Sequence, residues 1–140
     1  MTDDEFLTAF EQCSVPEDQW THEAHVRMTW LYLRQRPRAE AFAAVRNGIQ
    51  RYNASIQKSA AYHETITRAY LHLICDRMRS DGDEPTFADF QARNPDLFGR
   101  DLAALLRHYR KETLLSPAAR ESFVLPDVSP LPDLPADRSP

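Results

Sequence analysis

The segment Thr21-His22-Glu23-Ala24-His25 sets two imidazoles three residues apart. On an α-helix that spacing puts both on one face with Cβ atoms about 5–6 Å apart, so both can reach one ion at about 2.0–2.1 Å. The second histidine comes one residue too early for the HExxH zinc-protease motif, so that chemistry does not transfer. A third imidazole, His63, stands in Tyr62-His63-Glu64-Thr65-Ile66-Thr67, near the start of another expected helix. Three protein ligands with an open position is the arrangement of a catalytic metal, which acidifies bound water or polarises a carbonyl. His22, His25 and His63 are therefore the expected ligands of one divalent transition metal. Iron, copper and zinc all suit imidazole, and the ligand type does not choose among them.

Glu64 is the expected carboxylate, as a fourth ligand or as a general base through water. Tyr62 and Tyr70 offer hydroxyls that could orient a substrate or assist proton transfer. Glu23 lies one residue past His22, about 100° round the helix, and can equally pair with Arg27 four residues on. The expected function is a metal-dependent enzyme acting on a small molecule bound between helices. Iron or copper redox chemistry is slightly favoured over metal-assisted hydrolysis, because aromatic and threonine neighbours are more evident than a clear general base. The alternative is a non-catalytic helical interaction module with structural histidines, whose proline-rich tail docks on itself or on a partner. His72 and His108 read as packed side chains.

Other chemistries find no support. Three glycines cannot build a phosphate-cradling loop, and no GxSxG elbow occurs. Cys13 and Cys75 are the two cysteines and allow at most one bridge. Cys75 lies in an apolar run and reads as a buried, inert thiol.

The elements that must position these residues are helical. Thr2 can cap a first helix whose first turn carries Asp3, Asp4 and Glu5, where the helix dipole favours negative charge. Ser14-Val15-Pro16 breaks it. Thr21 can cap a second helix to about Arg36, with Val26, Trp30 and Leu33 at helical spacing. Pro37 fits the first turn of a third helix to about Tyr52, striped by Phe42, Val45, Ile49 and Tyr52. A fourth helix is expected from about Tyr62 to Arg79, with His63, Thr67, Tyr70 and Ile74 on one face. Shorter helices follow: one capped by Thr86, one from about Asp101 to Arg110 with Leu102, Leu105, Leu106 and Tyr109 inward, and a turn at Ser116-Pro117. From Pro126 the chain reads PDVSPLPDLPADRSP, which forbids regular helix and predicts an extended tail. Val128, Leu131 and Leu134 could lie along the helices. The fold expected is all-α: one domain over residues 1–125, a bundle of about four main helices plus short ones, then the tail at 126–140.

The totals agree with this. The 140 residues suit one domain, and 42% apolar content allows a packed core of modest size. The formal net charge of −4 has both signs spread along the chain, with no basic stripe for nucleic acid. The acidic start MTDDEF has no apolar run behind it, so no secretory signal is expected, and no segment approaches the ~20 apolar residues of a membrane span. A cytoplasmic protein with a small-molecule substrate is expected. A homo-oligomer is compatible with the sequence.

The blocks Trp20-Thr21-His22-Glu23-Ala24-His25-Val26-Arg27, Tyr52-Asn53 and Tyr62-His63-Glu64-Thr65-Ile66-Thr67 resemble a family of small bacterial helical proteins sharing a TH-x-x-H…YHETIT pattern. The resemblance spans roughly residues 20 to 125, without the tail. It brings no activity with it and implies only that His22, His25, His63 and Glu64 belong together. The linker from Asn53 to Ala61 departs from the pattern in being shorter and lacking glycine.

Overall fold

The computed structural model describes residues 1–82 and 85–132. All regular structure among them is helical: α1 (Asp3–Glu11), α2 (His22–Gln35), α3 (Arg38–Ser55), α4 (Glu64–Asp81), α5 (Phe87–Arg93), α6 (Ala103–Leu106), α7 (Lys111–Leu114) and α8 (Pro117–Glu121). Short 3-10 turns occur at Glu17–Gln19, Ser59–Ala61 and Pro95–Leu97. No helix among the described residues is long and apolar enough to cross a membrane. The chain divides into two compact units, Met1–His63 and a second that begins at Glu64.

In the first unit α1, α2 and α3 pack on one another. The start of α1 is a full capping box: the Thr2 hydroxyl accepts the Glu5 amide at 3.1 Å, and the Glu5 carboxylate accepts the Thr2 amide at 2.9 Å. Thr21 caps α2 by accepting the Ala24 amide at 3.2 Å. Pro37 stands one residue earlier than expected, as the N-cap of α3, with extended ψ and its carbonyl accepting the Ala41 amide at 2.9 Å. Helices α1 and α3 both end in Schellman motifs without glycine. Cys13 and Gln57 take the left-handed conformation (φ 59° each). The following amides, Ser14 and Lys58, return to the carbonyls of Ala9 and Asn53 at 2.8 Å each. Gly48 lets α3 approach α1: a Cβ there would lie 2.5 Å from the Phe10 ring. Phe10 is fully buried and meets Trp20, Tyr32 and Tyr52 with ring centroids 5.0, 6.4 and 6.3 Å away. Burying one such ring contributes about 1.5–3 kcal/mol.

In the second unit α4 packs against α8 and α6. Residues 69–74 of α4 are all buried, so this stretch is covered on every side rather than on one stripe, with His72 the polar member. Asp96 joins three elements: its carboxylate accepts both Arg77 terminal nitrogens, at 2.9 and 2.8 Å, and Arg107 at 2.8 Å. The helix expected from Asp101 to Arg110 is broken in two. Leu102 is left-handed (φ 61°), so α6 cannot start before Ala103, and Leu106 is exposed rather than inward. Helix α7 then follows Arg110 and has no local cap. Its N-terminal amide, that of Arg110, goes to Asp127 at 2.9 Å, and Thr113 donates to the same carboxylate at 2.5 Å. The described part of the tail is thereby docked on its own unit: the Val128 amide donates to the His108 carbonyl at 2.8 Å, and Leu131 is buried while Val128 is exposed. Leu134 lies outside the described residues.

Candidate functional site

The imidazole pair sits in the first turn of α2. His22 is the first helical residue and His25 the fourth, and both are half-buried. The Nδ1–H of His25 donates to the Thr21 carbonyl at 2.8 Å, the carbonyl of the helix's own N-cap. The His25 ring lies against Trp20, centroid to centroid 4.0 Å with planes 35° apart. Trp20 in turn stacks on Phe10 and meets Tyr52 at 4.9 Å. Tyr52 is locked by donating its hydroxyl to the Val15 carbonyl at 2.6 Å. Burial, aided by the neighbouring His22, pushes the His25 pKa down to about 4, although the Thr21 bond pulls the other way. At neutral pH the ring is therefore uncharged. Its proton is on Nδ1, committed to Thr21, and Nε2 carries the lone pair.

The Trp20 indole N–H is buried and donates to no acceptor among the described residues. The Thr29 hydroxyl, one turn on, is spent on the His25 carbonyl at 2.9 Å.

His63 is buried, with 8% of its surface exposed, and ends the first unit. It stands just before α4 rather than inside a helix from Tyr62, because Tyr62 is extended (ψ 138°) and leaves the 3-10 turn instead of entering α4. Tyr62 itself is half-buried. No group of three or more His, Cys, Asp or Glu side chains among the described residues is arranged to hold a metal ion. What the first unit presents is the α2 pair, with His63 as a further buried imidazole.

Glu64 opens the second unit as the first residue of α4. It is buried, with its carboxylate 3.8 Å from the Arg68 guanidinium one turn on. Tyr70 is buried too, and its phenol is pushed up to about 12 by burial and by the negative charges of Asp101 and Asp96. It is thus a hydrogen-bond donor rather than a base at neutral pH. His72 is buried, and His108 has its Nδ1 3.1 and 3.0 Å from the carbonyls of Ser129 and Pro130. Cys75 is half-buried rather than in a core, and neither cysteine is bridged.

Sequence reasoning missed two features. Arg27 pairs with Asp3 of α1 at 2.8 Å, not with Glu23, and lies over the Phe6 ring at 4.6 Å. A charge match across 24 residues leaves no periodic signal. Thr65, fully buried, ties α4 to the segment after α8 by donating to the Ser122 carbonyl at 2.9 Å and accepting the Val124 amide at 3.1 Å. Comparison with protein-family models, curated proteins and solved structures finds no match for this chain.

Proposed function

We propose that the chain is a metal-dependent enzyme acting on a small molecule, with the ion first taken by His25 and His22 and with His63 as the third imidazole. The observation that carries this reading is the hydrogen bond between His25 Nδ1 and the Thr21 carbonyl, 2.8 Å. A histidine ligand must be neutral, and it usually donates its second ring nitrogen to a carbonyl or carboxylate that fixes the ring. His25 meets both conditions without an ion: Nδ1 is held by Thr21 at 2.8 Å, and the ring stays neutral down to about pH 4. No group of three or more His, Cys, Asp or Glu among the described residues is arranged to hold an ion, so no catalytic step is derived through a metal. Iron, copper and zinc fit the donor type equally. The aromatic and threonine surroundings of the pair favour redox chemistry over hydrolysis. The reading rests on the first unit alone. Glu64 and Tyr70 are described only within the second.

The test is metal content. Protein purified without a histidine tag and offered iron, copper and zinc in turn should retain on the order of one ion per chain. A His25→Ala chain that keeps its helical circular dichroism should lose it. Retention by that variant, or failure of all three metals to bind the parent, overturns the proposal.

A second reading is favoured by a separate observation, the fastening of residues 127–131 to α7 and His108. In that reading the histidines are structural and the docked tail shapes an interaction surface. Truncation before Pro126 that abolishes self-association or partner binding, with metal content unchanged, supports it. Truncation without effect on either removes it.

A further inference from the structure

The second unit closes with a strap that has its own seat. Up to Val124 the chain is fastened. The Thr65 hydroxyl of α4 donates to the Ser122 carbonyl at 2.9 Å and accepts the Val124 amide at 3.1 Å, and the Tyr109 hydroxyl donates to the Val124 carbonyl at 2.7 Å. Leu125 and Pro126 follow as a two-residue joint, in a stretch from Phe123 to Pro126 with neither helix nor turn. Beyond the joint, residues 127–131 sit on the α6–α7 corner. The Asp127 carboxylate accepts the Arg110 amide and the Thr113 hydroxyl. The His108 carbonyl accepts the Val128 and Ser129 amides at 2.8 and 3.3 Å. The His108 Nδ1 faces the Ser129 and Pro130 carbonyls at 3.1 and 3.0 Å, which places its proton on that nitrogen. Leu131 is 4% exposed. His108 thus reads the main chain of the strap, while Asp127 and Leu131 are its side-chain anchors.

None of these contacts requires strap and seat to belong to one molecule. Four of the five large apolar side chains exposed among the described residues, Leu106, Leu115, Leu125 and Val128, belong to this part of the second unit. Two of them stand on the joint and the strap themselves: Leu125 is 71% exposed and Val128 56%.

We propose that the partner of this surface is a second copy of the chain: two chains exchange residues 127–131 across a twofold axis, each strap filling the other's α6–α7 seat. The seat contacts are the same in the closed monomer and in the exchanged dimer, so they cancel. The joint makes the difference. In the monomer Leu125 faces water, and in the dimer the two joints pass each other at the axis and bury both copies of it. The inference deepens the second reading above, on whose docked tail it rests, and it does not depend on what the first unit binds. With the seat contacts cancelled, the dissociation constant is set by the effective concentration of a short tether, on the order of 1 mM. Burying each Leu125 tightens it about tenfold, to the order of 10 µM for the pair.

The experiment follows the intact chain by sedimentation velocity from about 1 to 300 µM, alone and with about 5 mM of the synthetic peptide PDVSPLP, the sequence of residues 126–132. The chain should pass from monomer to dimer over that range. The peptide takes the seat in place of either strap and should return dimer to monomer, whereas the same peptide with Asp127→Ala and Leu131→Ala should not. Leu125→Ser should leave the unfolding midpoint of the monomer unchanged, because the side chain is exposed, and should weaken the dimer about hundredfold. Three results overturn the proposal: a monomer throughout, a dimer that the peptide leaves intact, or a dimer equally tight in Leu125→Ser. The first two are read on the parent chain, so the outcome does not depend on a variant that folds. A peptide-resistant dimer that is lost on truncation before Pro126 rejects strap exchange alone and leaves the second reading standing, and a dimer that survives the truncation removes both.

Discussion

Replacing Gly48 by alanine tests the packing that holds the imidazole pair in place. In an open helix this change stabilises by about 1 kcal/mol, because alanine is the better helix former. At Gly48 the added Cβ would lie 2.5 and 2.7 Å from two atoms of the Phe10 ring. Ordinary contact requires the ring to retreat by about 1 Å. Phe10 has no surface exposed, and it is boxed by Trp20, Tyr32 and Tyr52, so its retreat presses on Trp20 and through it on His25, 4.0 Å away. Overpacking of this kind costs about 1–3 kcal/mol or more. The two effects oppose, and the clash is the larger. A net loss of about 1–2 kcal/mol is expected, a fall in thermal midpoint of roughly 3–6 °C. Urea unfolding followed by tryptophan fluorescence measures it. The neighbouring exposed Asn47→Ala should gain a few tenths of a kcal/mol and serves as the control for helix propensity. In a Phe10→Leu background the smaller side chain makes room, so Gly48→Ala should become neutral or stabilising, a coupling visible in a double-mutant cycle. If Gly48→Ala stabilises the parent chain, or if its effect is the same with and without the Phe10 ring, the close approach of α3 to α1 is not what requires glycine.

Two further outcomes follow from the first unit. His25 has a folded pKa of about 4 against about 6.5 unfolded, so on acidification the unfolded chain takes up this proton first. Its contribution is complete above about pH 6.5 and is lost as pH falls toward about 4, by roughly 2–3 kcal/mol. Denaturation curves in the presence of a chelator should show that slope in the parent and a flatter one in His25→Gln. The lowered carboxylates Asp96 and Asp127 begin to lose their contribution as pH falls through the ordinary carboxylate value of 3.8, so most of their loss lies at lower pH than that of His25. A parent chain equally stable at about pH 4.5 and 7 contradicts the burial argument. Gln57→Gly removes the left-handed penalty of about 1–2 kcal/mol and gives back part of it in unfolded-state entropy, so a gain of about 0.5–1 kcal/mol is expected. A lowered midpoint would mean that the Gln57 side chain contributes something its exposure does not suggest.

The parts of the molecule written in local sequence were legible, and those written across the chain were not. Thr2, Thr21 and Thr86 all cap helices where the sequence places caps, and Ser116 caps the helix that follows the expected Ser116-Pro117 turn, because a hydroxyl reaches an amide three residues on and needs nothing distant. Helices α2, α3 and α4 were legible from their apolar spacing, to within two or three residues at each end. The stretch from Asp101 to Arg110 was misread because its leucine spacing looks helical. The left-handed Leu102 and the cap that Asp127 provides to α7 are both set by tertiary structure. At the candidate site, the pairing of His22 with His25 was visible as a spacing. The facing of Glu23 was left open, since a residue one step along a helix is decided by what packs beside it. The Asp3–Arg27 pair and a cavity near Phe6 decide it, and they assign Glu23 to the side away from the histidines.

The place of the imidazole pair in the first turn of α2 has an electrostatic consequence. The unsatisfied amides there carry a partial positive charge, which disfavours an imidazolium and favours a carboxylate. For His25 this field has the same sign as burial beside Trp20, so both hold the ring neutral with its Nε2 lone pair available. Histidines one turn apart at the C-terminal end of a helix would meet the reverse field, which raises an imidazole pKa by up to about one unit. The field at the first turn also opposes a bound cation, so it contributes a neutral His25 ring and no attraction for an ion, which the ligand bonds themselves would have to supply.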